Sequence, residues 1–272
     1  MNIYPFYAVV SDLDGTLLQP NHRLGTLTKE TLKKIAALHI DIIVATGRPY
    51  LDVKAIFDQI PEIKPTLITS NGAVIHDYTG KMIFSHYLPT EIANKLTNLN
   101  SIDKHNVCVN IYTEKGWFID REVPELKAFH QDSNFHYQVT DFSTQQYSAV
   151  EKVFFLSHHP DKLAKIAKEI KNLFNDNVEM TYSNPYCLEV MNKGISKATT
   201  LKQLLVNRPY DLKHCIAFGD GLNDEDMLKV VGSGCVMGNA DPRLRIACNQ
   251  LPQIGNNGEE AVANYLKHIF GV

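Results

Sequence analysis

Asp12-Leu13-Asp14-Gly15-Thr16 closes the apolar run Tyr7-Ala8-Val9-Val10 and places two carboxylates at the mouth of a buried strand. Residues i and i+2 share a side in extended chain, so Asp12 and Asp14 converge on one point. Two anions held that close raise each other's proton affinity unless a cation or a shared proton lies between them. The pentapeptide reads as a magnesium site, against the blander alternative of a strand ending in an Asp-rich turn. Gly15 lets the backbone leave the strand in a conformation other residues avoid, and Thr16 adds a hydroxyl and an NH where a phosphate fits.

Outward from that strand, short apolar runs alternate with helical periodicity: Leu32, Ile35 and Ala36, then Ile40 to Ala45, then Val53, Ile56 and Phe57. This β-α-β-α order predicts an α/β protein with a parallel sheet, whose ligands bind beyond the carboxyl ends of the strands. Asn71-Gly72 before Ala73-Val74-Ile75 is a hairpin signal. From Leu88 to Pro185 the pattern is α+β, with strands near Val107–Tyr112, Gly116–Ile119, Val150–Leu156 and Val178–Tyr182. A helix after Pro160 carries Leu163, Ile166, Ala167, Ile170 and Leu173 on one stripe. The βα alternation is expected to resume at Cys187 to Met191. The reading is one core, residues 1–87 and 186–272, interrupted by an inserted domain, residues 88–185.

The 272 residues allow about two domains. With 27 basic against 30 acidic residues and a net charge of -3, the chain has no electrostatic footprint for nucleic acid. No apolar stretch suggests a membrane span, and Met1-Asn2-Ile3-Tyr4-Pro5 has no basic segment followed by an apolar one. The five cysteines form no CxxC pair, which favours buried thiols in a reducing compartment. A cytoplasmic location is expected. Nothing in the sequence specifies an oligomeric state.

Three further clusters carry candidate chemistry. Gly219-Asp220-Gly221-Leu222-Asn223-Asp224 follows the apolar strand Cys215-Ile216-Ala217-Phe218 and brings Asp220 to the same sheet edge as Asp12 and Asp14. Oxygen ligands that leave room for water and phosphate suit magnesium. Thr46-Gly47-Arg48 follows Ile42-Ile43-Val44-Ala45 and forms a plausible phosphate cradle, with Arg48 on the substrate or in an ion pair. Lys197 sits where the helix bearing Leu201, Leu204 and Leu205 should begin, a position at which a cation opposes the helix dipole unless an anion stands beside it.

Asp12-Leu13-Asp14-Gly15-Thr16, Ala45-Thr46-Gly47-Arg48, Ser196-Lys197 and Gly219-Asp220-Gly221-Leu222-Asn223-Asp224 together resemble the haloacid dehalogenase superfamily, with the spacing of its Cof-type phosphatases. Ser70-Asn71-Gly72-Ala73 and Met237-Gly238-Asn239-Ala240 extend the resemblance over the whole chain. It implies a Rossmann-like core with an inserted mobile cap of the C2B type. It implies that Asp12 attacks phosphorus to give an aspartyl-phosphate, and that Asp14 protonates the leaving alcohol and later activates water. It gives magnesium to Asp12, the backbone carbonyl of Asp14 and Asp220, and phosphate to Leu13, Thr46, Gly47, Lys197 and Asn223, with Asp224 behind them. The implied substrates are small phosphorylated metabolites, sugar phosphates or pyridoxal 5'-phosphate.

Ala198 stands where that family usually has glycine. The alternative activities are phosphoryl transfer or phosphomutase chemistry on the same core, and a non-enzymatic phospho-receiver module, which would lack an inserted domain. Gly232-Ser233-Gly234 runs from helix to strand, the reverse of a dinucleotide site, and reads as close backbone packing. His158-His159 reads as a solvated strand exit. Tyr112 with Trp117-Phe118 reads as core or as a substrate-facing surface, and Tyr182 to Tyr186 as a specificity loop.

Overall fold

The computed structural model describes residues 5–129, 133 and 135–272. Met1 to Tyr4, read above for a leader, lie outside the described residues. In chain order the strands are β1 (Ala8–Ser11), β2 (Asp41–Ala45), β3 (Thr66–Thr69), β4 (Val74–His76) and β5 (Met82–Ser85). There follow β6 (Cys108–Thr113), β7 (Gly116–Ile119), β8 (Tyr137–Val139), β9 (Val150–Leu156), β10 (Val178–Asn184), β11 (Cys187–Asn192), β12 (Cys215–Gly219) and β13 (Ser233–Val236).

The first sheet has the order β13-β12-β1-β2-β3-β4-β5. It is parallel from β13 to β3, with β4 and β5 added antiparallel through the Ser70–Gly72 turn. Central strand β1 is buried along its whole length, which is why its sequence shows no polar alternation. Registers Ser11↔Val44 and Ser11↔Phe218 set the turns after β1, β2 and β12 side by side. Gly232 and Gly234 pack against backbone: an added Cβ would lie 1.9 Å from the Lys213 carbonyl and 2.1 Å from that of Leu228.

The second sheet has the order β10-β11-β9-β6-β7-β8. Helix Pro160–Phe174 packs on it through Leu163, Ile166, Ile170 and Phe174, while Leu173, expected on that stripe, is exposed. The 3.6-residue period carries the apolar face from Ile170 to Phe174 and leaves Leu173 pointing outward. Strand β8, pairing parallel with β7, was not foreseen.

The return to the core expected at residue 186 is corrected by the hydrogen bonding: β11 pairs antiparallel with β10 and β9, so Cys187–Asn192 belongs to the second sheet. Its largely apolar character, broken by Glu189, reflects burial on both faces rather than membership of the parallel sheet. The chain crosses back after Asn192, whose Nδ2 donates to the Tyr87 carbonyl at 2.8 Å, so the two connecting segments run side by side. Among the described residues no helix is long and apolar enough to cross a membrane. All five cysteines are buried free thiols.

Candidate active site

β1 delivers Asp12 and then turns sharply through Leu13–Leu17. Gly15 makes that turn with φ +73°, and a Cβ there would lie 2.2 Å from Asp220 Oδ2, so both its conformation and its neighbour require glycine. The Thr16 hydroxyl donates to Asp220 Oδ1 at 2.7 Å; it braces an acid instead of facing a phosphate. Leu13 keeps its side chain wholly in the core and offers a ligand only backbone.

Lys197 opens the helix Lys197–Leu205, capped by Ser196, and its side chain is completely buried. Its Nζ donates to Asp12 Oδ1 and Asp224 Oδ1, each at 2.7 Å. The expected mismatch with the helix dipole is overridden by two carboxylates. Asp224 Oδ2 accepts from the amides of Asp220 and Gly221, at 3.0 and 2.9 Å, and so shapes the loop that presents Asp220.

Carboxylate oxygens of Asp12, Asp220 and Asp224 lie within 4.8 Å of one another. Buried Asp12 and Asp224 share the one ammonium and half-buried Asp220 stands beside them, an excess of negative charge. Burial, opposed by Lys197 and reinforced by Asp224 and Asp220, holds the Asp12 carboxyl well above the usual carboxylate range. Burial and then Asp224 push Asp220 up to about 7. Such a cluster of hard oxygen donors, short of positive charge, fits a divalent ion such as magnesium.

Asp14 behaves differently. Burial raises it, but hydrogen bonds from Arg48 and His22 outweigh that and leave its carboxyl well below the usual range. Arg48 Nε and Nη2 reach its two oxygens, each at 2.6 Å, and Nη1 reaches Asp52 Oδ2 at 2.8 Å. The Asp14 carboxylate is thus engaged by Arg48 and is not one of the clustered acids.

Thr46 is buried, and its Oγ1 accepts from the Arg48 amide at 3.2 Å. Asn223 Nδ2 donates to Asn71 Oδ1 at 3.0 Å, and Asn71 takes a left-handed φ of 58° at the turn after β3. Asp12, Asp14, Thr46, Gly47, Asp220 and Asn223 all line one cavity of about 350 Å³. Of the expected site residues, Lys197 and Leu13 do not line it. Tyr112, Trp117 and Phe154 from the second sheet form an aromatic side of the same cavity, with Ser183 and Asn184 beside them. Trp117 and Tyr112 are thus both core and cavity wall, whereas Phe118 packs on the opposite face of the sheet against Tyr147. Tyr186 is exposed, as are His158 and His159.

Two charged cavity residues escaped the sequence reading: Lys152 on β9 and Glu189 on β11, both buried. Each is a charge inside an apolar strand, Val150-Glu151-Lys152-Val153-Phe154 and Cys187-Leu188-Glu189-Val190. A buried charge needs a partner, and that was the available signal.

Acids and a buried lysine at the carboxyl ends of a parallel sheet, roofed by an inserted sheet with its own aromatic wall, define a hydrolase of phosphoryl groups. The chain belongs to the haloacid dehalogenase-like hydrolases, whose family model matches residues 9–266, and it is a phosphatase of that family. A Haemophilus influenzae protein provisionally named a phosphatase is 46% identical over 272 residues, 100% of this chain and 99% of its own. An Enterobacter protein named HMP-PP phosphatase is 35% identical over 257 residues, 94% of this chain and 93% of its own. The crystal structure of a haloacid dehalogenase-like hydrolase from Bacteroides thetaiotaomicron superposes with a TM-score of 0.82 at 26% identity, covering 97% of this chain and 100% of its own.

Proposed function

We propose that the enzyme is a magnesium-dependent phosphatase of small phosphorylated metabolites that works through an aspartyl-phosphate on Asp12. The observation that carries this reading is the Asp12 carboxylate, hydrogen-bonded to buried Lys197 and opening on the cavity that Thr46, Gly47 and Asn223 also line. An Asp12 oxygen attacks phosphorus, the bond from phosphorus to the ester oxygen breaks, and that oxygen takes a proton from Asp14. Asp14 then takes a proton from water, whose oxygen attacks phosphorus; the bond to Asp12 breaks and inorganic phosphate leaves. Leu13 and Gly47 backbone groups, Thr46, Asn223 and Lys197 would hold the phosphoryl oxygens.

Magnesium, held by Asp12, the Asp14 carbonyl and Asp220, would supply positive charge where the phosphoryl group gathers negative charge. Asp224 fixes the loop and Lys197. Arg48 keeps Asp14 in the form that activates water; protonation for the first half-reaction requires the entering phosphate dianion to draw Arg48 away.

The aromatic side of the cavity favours a flat ring, as in pyridoxal 5'-phosphate, over a sugar phosphate. The relatives named HMP-PP phosphatases add HMP-PP to the candidates. Five buried free thiols suit a cytoplasmic setting. A magnesium-dependent screen over phosphorylated metabolites, ranked by kcat/KM, tests this reading. A flat aromatic phosphate should head the ranking; no hydrolysis of any phosphorylated metabolite in the screen, HMP-PP included, would refute the activity.

A further inference from the structure

Lys152 and Glu189 belong to the second sheet, on adjacent strands with Glu189 opposite Phe154. Lys152 Nζ lies 4.9 Å from the Tyr112 ring centroid and 4.8 Å from that of Phe154, and donates to Glu189 Oε1. Its fourth contact crosses to the first sheet: it donates to the Gly47 carbonyl at 2.7 Å. That carbonyl belongs to the peptide whose NH is the Arg48 amide, the group that donates to Thr46 Oγ1. A cation on the carbonyl polarises the peptide and strengthens the hydrogen bond from its NH. With Thr46 Oγ1 accepting from that amide, the hydroxyl proton is left for another acceptor in the cavity.

The pair is poorly built for stability alone. Glu189 Oε2 is buried with no hydrogen-bond partner among the described residues. Buried ion pairs are often no more stable than apolar replacements. An incompletely satisfied pair of the second sheet, reaching through Lys152 to the turn that bears Gly47 in the first, is better explained by what it positions.

Resting on the phosphatase reading above, we propose that Lys152, charge-balanced by Glu189, is a positioning residue: carried by the second sheet, it fixes the Gly47–Arg48 peptide of the first and so aims the Thr46 hydroxyl at the phosphoryl group only while the sheets are closed on each other. Phosphate binding and closure are thereby one event.

The test compares the wild type with Lys152→Met and with the nearly isosteric, uncharged double variant Lys152→Met/Glu189→Gln. All are assayed as magnesium-loaded enzymes on p-nitrophenyl phosphate, with orthovanadate as inhibitor. The vanadate Ki is expected to rise about tenfold or more in both variants, the loss set by one charge-assisted hydrogen bond. The double variant, which strands no buried charge, should regain the thermal stability that Lys152→Met loses without regaining vanadate affinity. If Lys152→Met does not fold, the double variant decides. A Ki within about threefold of wild type overturns the proposal, as does a fall in kcat alone, the mark of a merely structural role. A wild type with no phosphatase activity overturns both this inference and the reading beneath it.

Discussion

Arg48 grips Asp14 with two parallel hydrogen bonds of 2.6 Å, one to each carboxylate oxygen, while a third guanidinium nitrogen holds Asp52. This planar fork is a geometry lysine cannot reproduce. It sets the protonation of the residue proposed as acid and base. With Arg48→Met, burial becomes unopposed by its main counterweight and the Asp14 carboxyl rises. The second half-reaction needs Asp14 ionised, so the acid limb of the kcat profile should move to higher pH. A pH–rate profile on a phenyl phosphate measures it, and an unmoved limb would dissociate Asp14 from water activation.

Asp14→Asn removes the proton donor but not the backbone carbonyl proposed for the metal. Alkyl phosphates, whose alkoxide leaves poorly without a proton, should lose about 10²- to 10⁴-fold in kcat/KM. Aryl phosphates should lose much less in the first step, since phenolate leaves unaided. Comparing kcat/KM for a matched alkyl and aryl pair isolates that step, and equal losses would deny Asp14 the leaving-group role.

That the acids meet Thr46 and Gly47 at one cavity was legible in the sequence because each group ends an apolar strand, and strand ends in a parallel sheet gather at one edge. The Arg48–Asp14 pair lay within reach of the same reasoning: β1 and β2 are neighbours, so the turns after them must touch. Lys152 and Glu189 were harder, since their meeting with Gly47 depends on how the second sheet folds over the first. β11 was misassigned for a related reason. A strand buried on both faces has the same apolar sequence in either sheet, and only its hydrogen bonds to β9 and β10 tell which. Thr16 was read as a phosphate ligand because sequence shows a hydroxyl without showing Asp220, 204 residues later, as its partner.

Lys197 is expected to matter for both rate and stability. Lys197→Met deletes the ammonium between Asp12 and Asp224 and leaves two buried carboxylates without their counter-ion. Losing a preorganised charge contact should cost about 2 to 4 kcal/mol of transition-state stabilisation in kcat/KM. Breaking a buried pair by removing one partner should cost about 3 to 5 kcal/mol of folding stability in the metal-free protein. Denaturant unfolding with and without magnesium should show the ion recovering part of the second loss. Near-normal kcat/KM would remove Lys197 from the phosphate site.

Metal binding should be coupled to protons through Asp220. In the metal-free protein its carboxyl stands at about 7, against an ordinary value of 3.8, because burial and Asp224 disfavour its charge. The folded state then holds a proton that the unfolded chain releases, so this group's contribution to stability is complete below the unfolded value and is lost as pH rises from about 4 to about 7. The depressed Asp14 carboxyl acts with the opposite sign, but below that window. Magnesium must displace the Asp220 proton to bind, so its affinity should weaken as pH falls below about 7. Thermal melts at about pH 5 and pH 8 should show a small gain in Tm on adding magnesium at the lower pH and a large one at the higher. Asp220→Asn, which carries no titrating proton and is a weaker ligand, should flatten that difference. The same gain at both pH values in the wild type would place the ion away from the Asp12, Asp220 and Asp224 cluster.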